Sequence, residues 1–181
     1  MGKNEKLVLL DADVIIHLFK AGKLSLLQSL FPKRIIILDL VFEELLKNPV
    51  IRDRAQNLIT LNVAALVDFP THNREALNEY NSLRNTKGKG ESACLALCRY
   101  DQKILASSNL SDTKTYCLTY HIEYVTTLDI LTIAHLKGFI NEADADQAIY
   151  DVKSKGSILP KQFGTIKDYI NKGFDKKKLN Y

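Results

Sequence analysis

The sequence has no apolar run approaching the roughly 20 residues that a helix needs to cross a bilayer. Residues 1–6 also lack the apolar stretch of a secretory signal. The GxxxxGK(S/T) motif of a phosphate-binding loop is missing too, which argues against an NTPase. We therefore predict a soluble, cytoplasmic protein without a membrane partner.

Cysteine is scarce as well. The three cysteines, Cys94, Cys98 and Cys117, are an odd number and lack the CxxC spacing of a metal site. Cys94 and Cys98 stand four residues apart in a stretch of helical character, where they would share one face. We predict reduced thiols packed in the core, because free cysteine is commonly buried.

Apolar residues are plentiful enough for one sizeable core, since they make up 46% of the 181 residues. The net charge of +4 and the pI near 8.8 are mildly basic. Such a charge is compatible with a nucleic-acid partner without establishing one. We predict one domain over residues 1–153, followed by a basic tail or helix over residues 154–181.

Short apolar runs with strand character alternate with helical periodicity along the chain. The predicted strands are residues 7–10, 35–38, 103–106 and, more weakly, 123–125. The predicted helices are residues 14–19, 40–47, 91–100, 110–119, 128–137 and 141–153, with Gly22, Pro49 and Gly138 ending the helices before them. This alternation predicts an α/β fold with a buried parallel sheet. Residues 50–69 fit a helix and a strand equally and stay open.

Asp11-Ala12-Asp13 directly follows the first predicted strand. Ligands of open parallel sheets bind at the carboxyl ends of the strands, so this position is informative. Asp13 is predicted to cap the helix that follows. That leaves Asp11 without a local role, and a carboxylate near the sheet interior needs a cation or hydrogen-bond donors. Asp11 is therefore the first candidate site residue.

Two more acids follow later strands or loops. Glu44 shares a helix face with Leu40 and Val41, and Glu91 opens a helix after the basic loop at residues 86–90. Both have a structural alternative, because Glu43 and Glu44 also suit an exposed helix face. Glu91 also suits the positive end of a helix dipole.

Four segments, at residues 9–16, 41–45, 90–96 and 104–109, stand in the order that PIN domains use. Over residues 6–138 the sequence thus resembles the PIN-domain family. The resemblance implies a three-layer α/β/α sandwich with a short, mostly parallel central sheet. It also implies an acidic cluster that binds Mg²⁺ or Mn²⁺ and cleaves RNA. Matched by position, that cluster includes Asp11, Glu44 and Glu91, with Glu44 preferred because the family's glutamate precedes a leucine.

The fourth position of the acidic cluster departs from the common family pattern. Many PIN domains have aspartates directly after the third predicted strand, where this sequence has Ser107, Ser108 and Asn109. A branch of the family has a similar Ser-Ser-Asn-Leu-x-Asp pattern, which implies that Asn109 and Asp112 face the cluster. Ser107, Ser108 and Asp13 are then supporting residues. An N-cap at Asn109 with Asp112 in the first turn explains the pattern equally well.

Basic residues are interleaved with these acids. Lys87, Lys89 and Lys114 are predicted to contact RNA phosphates, which carry no sequence information. Solvated helix faces explain isolated lysines as well.

The sequence as a whole favours a metal-dependent ribonuclease of PIN type, with Asp11, Glu44, Glu91 and Asp112 as ligands of Mg²⁺ or Mn²⁺. RNA is the expected partner. A toxin role with an antitoxin protein, and a homodimer, are implied by the resemblance alone. One alternative is a catalytically degraded PIN-like domain that binds RNA or a protein, suggested by Ser107 and Ser108. Another is a phosphatase or phosphotransferase similar to haloacid dehalogenases, although that family's Asp-x-Asp strand usually continues with Gly and Thr.

Overall fold

A computed structural model describes residues 5–181, apart from the side chains of residues 110–112. Its centre is a five-stranded sheet in the order β3-β2-β1-β4-β5, in which every strand pair is parallel. The strands are β1 Val8–Leu10, β2 Ile35–Leu38, β3 Ala64–Val67, β4 Ile104–Ala106 and β5 Tyr124–Val125. Because β1 lies in the middle, all three of its side chains are buried.

Helices connect the strands and flank the sheet. In chain order they are α1 Ala12–Lys20, α2 Ser25–Leu30, α3 Asp39–Leu45, α4 Pro49–Thr60, α5 Arg74–Leu83, α6 Lys89–Asp101, α7 Leu110–Thr119, α8 Thr127–Leu136, α9 Glu142–Ser154 and α10 Ile166–Lys172. A short 3₁₀ helix follows at Lys176–Asn180. The predicted three-layer α/β/α architecture is confirmed, and the sheet is wholly parallel in the part of the chain described.

The segment left open between residues 50 and 69 contains both elements in turn, α4 and then β3. The prediction that Pro49 ends the preceding helix is wrong. Pro49 instead opens α4, where the missing N–H costs nothing because first-turn N–H groups have no partner inside the helix. The Asn48 side chain accepts from the Val50 N–H at 3.1 Å and caps the helix. Gly22 and Gly138 follow α1 and α8 with φ of 65° and 78°, as predicted.

The segment after α9 packs back onto the domain. Ile166 and Tyr169 of α10 are buried against α8 and α9. The Tyr169 hydroxyl and the Lys178 ammonium both bind Asp129 on α8, which is wholly buried. The Arg34 guanidinium, before β2, donates to the Tyr181 carbonyl at 2.8 Å. Residues beyond 154 therefore contribute to the same hydrophobic core.

The three cysteines are buried and free, as predicted. Within residues 5–181 no helix has the length and apolar character needed to span a bilayer.

Candidate active site

Asp11 lies where the central strand ends and α1 begins. Its Oδ1 accepts from the Ala12 N–H at 2.8 Å, and its Oδ2 accepts from the Ser107 hydroxyl at 3.0 Å. The Asp11 N–H donates to the Ala106 carbonyl at 2.9 Å, which extends the pairing of β1 with β4. These contacts fix the carboxylate at the carboxyl edge of the sheet, where the sequence places it.

Asp13 does not cap α1, and that prediction is wrong. The helix starts at Ala12 with Asp11 as its N-cap, so Asp13 is already inside the first turn. From there its side chain crosses to the connection after β4, where its Oδ2 accepts from the Ser108 N–H at 2.8 Å. Its Oδ1 is buried and has no hydrogen-bond partner among the described residues. Asp13 therefore lies beside Asp11 at the carboxyl edge of the sheet.

The two aspartates resist ionisation. Burial, and next the charge of Asp13, raise the pKa of Asp11 well above its usual value. Burial raises the pKa of Asp13 to about 6, although backbone N–H groups, first that of Ser108, work against the increase. The charge of Glu91 adds to both shifts. Two carboxylates held this way repel each other, and a cation between them would remove the conflict.

Glu91 approaches this edge from the first turn of α6. Its Oε1 accepts from the Thr113 hydroxyl at 2.8 Å, from the Asn109 amide at 3.3 Å and from the Lys87 ammonium at 3.3 Å. These donors come from α7, from the connection before it and from the loop before α6. Glu91 is thus held in one orientation near Asp11 and Asp13, and we call these three residues the acidic centre.

Glu44 reaches the same part of the fold but binds backbone. Its Oε1 accepts from the Gly90 N–H at 2.8 Å, and a Cβ at Gly90 would lie only 3.0 Å from Oε2. Glycine at this position therefore allows the close approach of α3 and α6. Burial raises the pKa of the Cys94 thiol, and the charges of Asp11, Cys98, Asp13 and Glu44 raise it further, in that order. Glu44 thus lies near that thiol, as the aspartates do, while the neighbouring Glu43 is exposed and paired with Lys89.

A chain of hydroxyl groups supports the connection after β4. The Ser108 hydroxyl lies 2.7 Å from that of Thr127 and accepts from the Thr127 N–H at 2.8 Å. The Thr127 hydroxyl lies 3.0 Å from His17 Nδ1. Burial lowers the pKa of His17 to about 4, with a smaller contribution from Lys20, so the ring is neutral at physiological pH. These hydrogen bonds connect α1 and α8 to Ser108, whose backbone N–H binds Asp13.

The fourth position of the acidic cluster is described in part. Asn109 is the N-cap of α7, and its side-chain amide donates to Glu91 at 3.3 Å. Asp112 is within α7, but its side chain lies outside the described residues. Thr113, which the sequence analysis missed, is buried and donates to Glu91. No sequence signal singles out Thr113, because its contact with Glu91 depends on how α7 packs against α6.

The three lysines predicted to contact RNA differ in their surroundings. The Lys87 side chain is only 8% exposed and is paired with Glu91, so it positions that carboxylate. The Lys89 ammonium, 43% exposed, is paired with Glu43. Lys114 is exposed on α7.

Over the described part of the chain, no three acidic, histidine or cysteine side chains form a ready-made metal cage. The carboxyl edge instead combines Asp11 and Asp13 with donors from Ser107 and Ser108, and with Glu91 nearby. Such a set suits Mg²⁺, which keeps several waters and needs only one or two protein carboxylates.

Comparison with known proteins agrees with this architecture. A family model described as PIN domain matches residues 7–165 of the chain. Searches with the chain found no curated protein and no solved structure with significant similarity.

Proposed function

The chain belongs to the PIN-domain family, and on that premise we propose that it is a metal-dependent ribonuclease acting at the acidic centre. The family supplies a nuclease-type fold. The observation that carries the proposal further is Asp13 Oδ1, a buried carboxylate oxygen without a hydrogen-bond partner beside a second carboxylate. Leaving such an atom unpaired is costly unless something outside the chain binds it.

The residues at this edge fit a divalent cation. Asp13 Oδ1 is a buried oxygen without a hydrogen-bond partner among the described residues, and both Asp11 oxygens accept from fixed donors. The raised pKa values of both residues mean that a bound cation would stabilise their charged forms. We assign Asp11 and Asp13 as direct ligands, and Glu91, Glu44 and Asp112 as acids that act directly or through metal-bound water.

A divalent cation at this position would neutralise charge on a phosphodiester and lower the pKa of a bound water. The chain's own residues provide the geometry. The Ser107 hydroxyl and the Ala12 N–H orient Asp11, and the Ser108 N–H orients Asp13. Thr113, Asn109 and Lys87 hold Glu91, which is placed to accept a proton or position a water.

One observation favours the alternative of a PIN domain that binds RNA or a protein without cleaving it. Serines replace the common aspartates after β4, and the described residues contain no cage of three ligands. An antitoxin partner, a toxin role and a homodimer rest on the family resemblance alone and stay predictions.

Cleavage of single-stranded RNA in Mg²⁺ or Mn²⁺ tests the proposal. Asp11→Asn should lose more activity than the roughly 100-fold that loss of a supporting residue around a metal costs. The matched control is Asp68→Asn, because Asp68 also directly follows a strand, β3, but is exposed. Equal cleavage by wild type and Asp11→Asn, with contaminating nucleases excluded, or no cleavage by wild type in either metal, would contradict the proposal.

A further inference from the structure

A groove of about 830 Å³ lies between α7, β5 and the segment after α9, with Ser108 in its lining. We call it the C-terminal groove, and the lining residues that matter here are Ser108, Lys114, Tyr124, Lys172, Lys177 and Tyr181. Three of these lie beyond residue 165, where the match to the family model ends. The groove is therefore built in part by a segment to which that family model assigns nothing.

The groove carries an excess of positive charge. Lys114, Lys172 and Lys177 are exposed, and none of them pairs with a carboxylate among the described residues. Of the two acids of the lining, Glu123 pairs with Lys6, whereas Asp175 Oδ1 accepts, among the described residues, only from the Lys177 N–H and keeps its negative charge against the three lysines. A fourth lysine, Lys178, neutralises buried Asp129 and adds nothing to this excess. The groove thus offers three ammonium groups to an anionic ligand.

One residue is common to the groove and the surroundings of the acidic centre. Ser108 lines the groove, and its N–H donates to Asp13 Oδ2 at 2.8 Å. A nucleic-acid strand that places one phosphate at the acidic centre could therefore pass Ser108 and bring its next phosphates to the groove lysines. Tyr124 and Tyr181 in the lining are half-buried aromatic rings, and the Lys178 ammonium lies over the Tyr124 ring, 4.1 Å from its centroid, which leaves Tyr181 as the ring for base stacking. Basic grooves with aromatic side chains are the usual way in which proteins bind single-stranded nucleic acids.

We propose that the C-terminal groove binds the single-stranded RNA that flanks the phosphodiester held at the acidic centre. This inference rests on the proposed function and assigns the segment after α9 to substrate binding. Lys114, Lys172 and Lys177 contact phosphates, so they contribute affinity without sequence preference. The groove sets where the strand lies, and the acidic centre sets where it is cut.

A binding measurement in the Asp11→Asn background, without divalent metal, separates binding from cleavage. The probe is a short, fluorescently labelled single-stranded RNA titrated at several salt concentrations. The test variant is Lys172→Gln with Lys177→Gln, and the control is Lys167→Gln with Lys176→Gln. The control lysines are exposed neighbours in the same two elements that do not line the groove.

We expect the groove variant to bind RNA more weakly than the control variant, whatever the RNA sequence. The slope of log K against log salt should fall by about 0.7 for each lysine removed. With Asp11 restored and metal present, the groove variant should raise KM and leave kcat unchanged. Equal binding by both double variants would overturn the proposal. The proposal would also be overturned if the groove variant lost binding to a polyglutamate peptide but bound RNA as well as the control variant does. That result would assign the groove to a protein partner.

The two proposals fail in distinguishable ways. If the wild type binds RNA through the groove lysines but never cleaves it, the ribonuclease proposal fails and the groove assignment stands. If metal-dependent cleavage is unchanged by substitution of Lys172 and Lys177, the groove assignment fails and the ribonuclease proposal stands.

Discussion

Asp13 and Asp129 both lie in the first turn of a helix that follows a parallel strand, yet they differ in how many donors compensate the charge of the carboxylate. Asp129 accepts from the Thr126 N–H and hydroxyl, from the Tyr169 hydroxyl at 2.8 Å and from the Lys178 ammonium at 2.6 Å. Asp13 accepts from the Ser108 N–H through one oxygen, with the Val14 and Asn109 N–H groups also favouring its charge, while the other oxygen has no hydrogen-bond partner among the described residues.

The difference separates a structural carboxylate from one suited to a ligand. Asp129 has donors from the chain on both oxygens, so it fastens the segment after α9 to α8. Burial raises the pKa of Asp13 to about 6, so the folded chain disfavours the charge that a divalent cation would favour. If this comparison holds, neutralising the two residues should have opposite effects on stability.

The largest effect should follow from Asp129→Asn. The change leaves the Lys178 ammonium, whose side chain is 10% exposed, without its counter-charge, which should cost about 3–5 kcal/mol of unfolding free energy. Denaturant unfolding measures this. The double variant with Lys178→Met should recover much of the loss, because replacing both partners removes the unpaired charge. If Asp129→Asn is as stable as wild type, the Asp129–Lys178 ion pair does not fasten the segment after α9 to α8.

Asp13→Asn should act in the opposite direction when metal is absent. Asp13 has a folded-state pKa near 6, above its unfolded value of 3.8, so ionisation favours the unfolded chain as pH rises from about 4 to 6. That cost is absent below pH 4 and complete above pH 6. The variant should therefore be more stable than wild type by about 1–3 kcal/mol at pH 8 and nearly equal at pH 4. Denaturant unfolding of both proteins in EDTA at pH 4 and pH 8 measures this difference in unfolding free energy. A stability gain that does not depend on pH would contradict the account.

The smallest change in stability is expected at Asp112. Loss of a first-turn charge by Asp112→Asn should cost only about 0.3–1 kcal/mol without metal. If Asp112 contributes to the cation site as we propose, the same variant should weaken Mn²⁺ binding and cleavage strongly. Unchanged Mn²⁺ affinity would remove Asp112 from the site and favour the alternative without cleavage.

The sheet and the position of Asp11 could be predicted because both follow from local patterns. Short apolar runs that alternate with helical periodicity define a parallel sheet, and Asp11 directly follows one of them. The sequence analysis named Asp13 as a supporting residue, but its contacts could not be predicted, because they depend on α1 starting at Ala12 and on the backbone after β4. Because α1 starts two residues earlier than expected, Asp11 is the N-cap and the Asp13 side chain is free to bind the backbone after β4.

The Asp129–Lys178 pair was also out of reach, since its partners are 49 residues apart and meet only through packing. His17 and Thr127 were missed for a similar reason, although Thr127 lies close to the end of a strand. The rule that selected Asp11 takes the residue directly after a strand, which for β5 is Thr126, so it would have missed Thr127 by one residue.

The central claim is that the unpaired oxygen of Asp13 is part of a divalent cation site. Calorimetric titration of Mn²⁺ into wild type, Asp13→Asn and the exposed control Asp68→Asn tests it most directly. The account predicts binding by wild type and Asp68→Asn with equal affinity, and an affinity at least about 10-fold weaker in Asp13→Asn. Equal Mn²⁺ affinity in all three proteins would contradict it.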